Sequence, residues 1–121
     1  MAGISFSERS TDIWIVAGWA FRAISSDVLA HFPDDREMVE KFDEAGALGF
    51  LHVELLEQPL AERVTRAIRE VASGVAAGKI RPQIDGRFDE ETLLEYRKGL
   101  RMLLEAIPAV PEPAIARPRA S

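Results

Sequence analysis

The segment Thr11–Phe32, TDIWIVAGWAFRAISSDVLAHF, decides the fold class. Its apolar residues recur at Ile13, Val16, Ala17, Ala20, Ile24 and Val28, which is helical spacing, and Thr11 or Asp12 can cap the first turn. Trp14, Ile15, Trp19 and Phe21 fill the remaining faces, so a helix here is apolar nearly all round in its first half, as in a central or interface helix. The β-branched Ile13, Ile15 and Val16 leave a short strand as the alternative.

Working outward, Pro33 ends this element, and Asp34, Asp35 and Glu37 place negative charge in the first turn of a second helix. Met38, Val39, Phe42 and Ala45 form its apolar stripe, and Gly46 is expected to cap it. Residues 47–57 fit a half-buried strand by the alternation of Leu51, Val53 and Leu55, and a helix by the spacing of Leu48, Leu51 and Leu55. The absence of a convincing partner strand favours helix or irregular packing.

A third helix begins at Pro59 and repeats Leu60, Val64, Ala67, Ile68, Val71 and Val75 on one face, with Gly78 to end it. Lys79–Phe88 reads as a loop, with Pro82 and Asp85–Gly86 as its turn residues. Asp89 caps a fourth helix lined by Leu93, Tyr96, Leu100, Leu103, Leu104 and Ile107, and Pro108 stops it. The reading is an all-α domain over residues 1–108, a small bundle of about four helices with one irregular or strand-like segment near 47–57. Residues 109–121, with three prolines, read as an extended tail. Deleting residues 110–121 is therefore expected to leave the melting temperature within about 2 °C, and a thermal melt of the truncated chain checks this.

Composition narrows the chemistry. A chain of 121 residues without cysteine has no thiol catalysis, no iron–sulfur ligation and no disulfide framework. The run Ile13–Phe21 is too short to span a bilayer, no basic leader precedes it, and a cytoplasmic protein is expected. Up to Gln58 there are 4 Lys and Arg against 11 Asp and Glu, and from Pro59 onward 11 against 9. The acidic total of −5 disfavours a dedicated nucleic-acid binder.

No motif designates a catalytic, cofactor or metal site. His31 is followed by Asp34, Asp35 and Glu37, but Pro33 breaks the register, and those acids already suit a helix start. His52-Val53-Glu54 has the H-x-E spacing of a zinc deaminase without the cysteines that would complete it. Asp85-Gly86-Arg87-Phe88-Asp89 lacks the ligands of a calcium loop. Gly74 and Gly78 have helix-packing spacing on a helix too charged for a membrane. Arg63, Arg66 and Arg69, with Arg97, Lys98 and Arg101, are interrupted by glutamates.

Expected instead is a non-catalytic protein-binding module, such as a small regulator, an immunity-like inhibitor or an assembly subunit. Its partner-binding residues are expected to be Glu40, Asp43 and Glu44, an acidic helix face suited to a basic partner, together with Trp19. Glu40 and Glu44 form a like-charge pair one turn apart near the negative end of their helix, an arrangement that helix stability alone does not favour. The apolar surface of Trp14, Ile15, Trp19 and Phe21 points to a homodimer. The alternative is a small helical enzyme or ligand binder whose pocket contains His31 or His52 and nearby carboxylates.

Overall fold

A computed structural model describes residues 1–83 and 89–108. The expected turn at Asp85–Gly86 and the proline-containing tail lie outside them. In chain order the elements are β1 (Ala2–Ser5), a 3-10 turn (Ser10–Asp12), β2 (Ile13–Val16), α1 (Gly18–His31), α2 (Arg36–Leu48), β3 (Phe50–His52), a second 3-10 turn (Val53–Leu55), α3 (Leu60–Ala76) and α4 (Glu90–Ala106).

The all-α expectation is overturned by a three-stranded mixed sheet of order β2-β1-β3. The central strand pairs antiparallel with β2, with Ile4 opposite Trp14, and parallel with β3, with Ile4 opposite Leu51. The partner strand for residues 50–52 is the segment Ala2–Ser5, four residues too short to announce a period of its own. The long first helix is likewise corrected: its opening residues form β2, and the chain turns helical only at Gly18.

Strand alternation divides the sheet into two faces. Ile4, Trp14 and Leu51 are buried on the helix side, where Trp14 donates its indole N–H to the Gly99 carbonyl of α4 at 2.9 Å. Gly3, Ser5, Ile13, Ile15, Phe50 and His52 share the other face, on which Ile15 is 55 % exposed. Gly3 is required there. A Cβ at that position would collide with the Trp14 carbonyl oxygen and lie 2.8 Å from a ring carbon of Phe50.

The helices follow their apolar stripes. Val64, Ile68, Val71 and Val75 of α3 are fully buried and meet Leu100 and Leu103 of α4 in one core with Ile24 and Val28 of α1. Asp89 caps α4 by accepting the Thr92 N–H at 2.7 Å, as its sequence implies. In α2 the helix runs through Gly46 and ends at Gly49, whose φ of 83° is the left-handed conformation of a C-terminal cap. Among the described residues no helix is long and apolar enough to cross a membrane.

Among the described residues, one acidic side chain enters this core. Asp27 of α1 is 1 % exposed, accepts the Tyr96 hydroxyl proton at 2.6 Å and accepts the Gln83 backbone N–H at 2.6 Å. Burial pushes its carboxyl above the ordinary value near 3.8, against the opposing pull of those two donors and of His31. The same burial and the neighbouring carboxylate push the Tyr96 hydroxyl up. The network joins α1, the segment after α3 and α4 at one point.

Candidate functional site

Among the described residues, uncompensated charge stands beside a concavity between α2 and the segment leading into α3. Glu37, Glu40 and Lys41 come from one side of this groove, and Leu55, Leu56, Glu57, Gln58, Pro59, Leu60 and Arg63 from the other. Its volume is about 510 Å³. Asp35 caps α2 by accepting the Met38 N–H at 3.2 Å, which fixes the helix start and sets Glu37 and Glu40 along the groove.

The ion pairs decide the electrostatics. Arg63 donates from Nε to Asp35 Oδ2 at 3.1 Å and from Nη2 to Glu37 Oε1 at 2.8 Å, so its charge is consumed within the wall. The Arg63 guanidinium holds the Asp35 carboxyl below its usual range, and the two carboxylates in turn hold the guanidinium proton more tightly. Lys41 pairs with Glu44 at 3.5 Å. Among the described residues Glu40 and Glu57 form no ion pair, which leaves the groove net negative. Leu55, 75 % exposed, adds an apolar contact at its edge.

Of the residues singled out by sequence, Glu40 lines this groove, while Asp43 and Glu44 are exposed farther along α2. Trp19 is not brought to them. Its half-buried ring packs on the core, with its centroid 6.2 Å from that of Tyr96 on α4. Trp14 and Phe21 are buried at 3 % and 2 %, so of the four residues expected to form an apolar interface, Ile15 is the one that is largely exposed.

The two histidines lie apart from any shared pocket. His31 Nδ1 is 3.1 Å from the Asp27 carbonyl oxygen one turn back, which is the local bond of a helix end. His52 stacks on Phe50 at 4.7 Å and approaches Ser5 Oγ with Nδ1 at 2.9 Å. Ser5, 3 % exposed, donates to Glu54 at 2.8 Å. A hydroxyl has one proton, so His52 must carry its own on Nδ1 and donate it to Ser5. The proton order is therefore His52 to Ser5 to Glu54. A nucleophilic serine needs the reverse, with the imidazole accepting the hydroxyl proton and the oxygen accessible to substrate. The trio ties β1 to β3 and to the turn after it.

A second cavity, of about 430 Å³, opens beyond Glu54 and is lined by Phe6, Gln58, Glu62, Thr65, Arg66 and Arg69 among others. Neither histidine lines it, and its two arginines balance its two glutamates. Among the described residues no group of three or more histidine, aspartate or glutamate side chains is placed to hold a metal.

Ser5 and Asp27 escape sequence reasoning. Ser5 sits in a strand too short to be seen, but Asp27 leaves a signal: it falls between Ile24 and Val28 on the buried stripe of α1. A carboxylate there demands partners. No protein-family model, curated protein or solved structure matches this chain.

Proposed function

We propose that the protein is a non-catalytic binding module whose groove between α2 and Leu55–Arg63 receives a basic, partly apolar segment of another protein. The observation that carries this reading is the groove's charge balance. Both of its cations are engaged by carboxylates, whereas Glu40 and Glu57 are unpaired among the described residues and Leu55 is exposed beside them. A lysine or arginine side chain supplies the missing charge, and an apolar neighbour covers Leu55. Asp43 and Glu44 extend the negative field along α2 and steer the partner's approach. A cytoplasmic setting for this encounter belongs to the same proposal.

Fluorescence anisotropy with three short labelled peptides tests it: one of lysine and leucine, one of lysine and serine, and one of glutamate and leucine. The first should bind most tightly, and raising the salt should weaken it. Glu40→Gln with Asp43→Asn and Glu44→Gln should raise Kd by about tenfold, or roughly 1.4 kcal/mol, and Leu55→Ser should weaken binding further. Equal binding of all three peptides, or indifference to these substitutions, would reject the groove as a docking site.

A further inference from the structure

We infer that β2 is a self-pairing edge, through which two copies of the chain join their sheets across a two-fold axis at Ile15. The hydrogen-bonding direction of each residue follows from two bonds. Gly3 donates its N–H toward β3, to the Gly49 carbonyl, at 3.1 Å, and Phe6 donates toward the other side, to the Asp12 carbonyl, at 2.9 Å. Backbone groups alternate along a strand, so Ile4 and Trp14 face each other within the ladder and Ile15 points away from β1. By the same alternation the Ile15 N–H, the Ile15 carbonyl, the Ile13 carbonyl and the Ala17 N–H lie along the outer edge of the sheet, where β2 is the last strand.

This edge lacks the usual guards. Its sequence, Ile-Trp-Ile-Val, contains no charge and no proline, and Ile15 is 55 % exposed on the open face of the sheet. A second copy fits it in one antiparallel register. With Ile15 opposite Ile15, the two residues exchange both of their N–H and carbonyl groups, and each Ala17 N–H reaches the other copy's Ile13 carbonyl. Four backbone bonds form, and the two Ile15 side chains become neighbours on one face.

Charge selects the same register. Pairing centred on Ile15 sets Asp12 of one copy opposite Gly18 of the other. The Arg22 guanidinium lies over Gly18, 3.2 Å from where a Cβ would stand, and among the described residues it forms no ion pair. The Asp12 carboxylate is held in place by the Ser7 hydroxyl, which donates to it at 2.6 Å. Each copy therefore offers an anchored carboxylate at one end of β2 and an open guanidinium at the other, and two-fold symmetry brings them together twice. This differs from an interface built on the tryptophans: Trp14 stays in the core, and the contact is made by backbone and isoleucine.

Sedimentation from about 1 to 100 µM reads the association, a range in which a contact of micromolar strength is visible. The expected result is a reversible dimer whose Ile15 amide becomes more protected from hydrogen exchange as concentration rises. Ala17 has φ of −65° and extended ψ, a conformation proline adopts without strain, so Ala17→Pro deletes the donor while preserving the fold. That variant, and Arg22→Glu, should each raise the dissociation constant by about tenfold or more. Adding Asp12→Lys to Arg22→Glu should restore association, a rescue that a folding defect does not permit. A monomer throughout the range overturns the inference. So does a dimer indifferent to Ala17→Pro, or a charge reversal with no rescue.

Discussion

Asp27→Ala is expected to lower the melting temperature by about 10–25 °C, the consequence of removing one carboxylate that serves two donors. The Tyr96 hydroxyl, buried in the core, and the Gln83 N–H, at its partly exposed margin, both lose the Asp27 carboxylate. A hydrogen bond to a carboxylate contributes about 1.5–3 kcal/mol, and the deleted side chain leaves a void besides, for a loss of about 3–5 kcal/mol. Each kilocalorie moves the midpoint by several degrees in a domain of this size. Thermal melts followed by circular dichroism measure the effect. A fall of under about 3 °C would mean that this network contributes little to stability.

Asp27→Asn separates charge from shape. Burial raises the folded-state pKa of Asp27 above its ordinary value near 3.8, so the folded chain holds this proton more tightly than the unfolded chain does. The contribution of this group is then most favourable below that value, declines as pH climbs toward the raised folded pKa, and is flat above it. Asparagine does not titrate. The stability of the wild type minus that of Asp27→Asn should therefore fall with rising pH across this window, opposite in sign to the carboxylates that drive acid unfolding. A difference that rises with pH would show that the donors outweigh burial.

Gly3→Val is expected to leave no folded protein, and Gly3→Ala to cost about 3 kcal/mol, at the upper end for overpacking. The obstruction is backbone: the Trp14 carbonyl stands where the new Cβ would go, and moving it pulls β2 away from the central strand. Phe50 blocks the other side. Urea denaturation of Gly3→Ala should show a lower midpoint with an unchanged slope. A wild-type midpoint would mean that the sheet can spread at no cost.

The helices were legible because each carries enough turns to display a period. Val64, Ala67, Ile68, Val71 and Val75 define α3 by spacing alone, and Asp89 marks the start of α4 by its chemistry. The sheet was not. Each of its strands has four residues or fewer, and β1 is buried throughout, so alternation between inside and outside is invisible. Favouring helix or irregular packing over a strand at residues 47–57 for want of a partner is sound locally and fails because that partner lies 47 positions earlier, where Gly3 and Ser5 interrupt the apolar pattern. In the candidate groove, Glu40 could be read from the like-charge pair it forms on α2. The contribution of Leu55 and Glu57 could not, since nothing in the sequence tells that the turn before α3 folds back against α2.

The contacts of the two tryptophans have a spectroscopic consequence. Trp14 donates its indole N–H to Gly99, and Trp19 lies against Tyr96, so both tryptophans of the chain report on one seam, where the strand and helix of the N-terminal part meet α4. Emission is thus a gauge of α4 docking. If α4 detaches before the rest of the domain opens, fluorescence will register the event at milder denaturant than far-ultraviolet circular dichroism, and the gap between the two curves will measure how independently the last helix comes away.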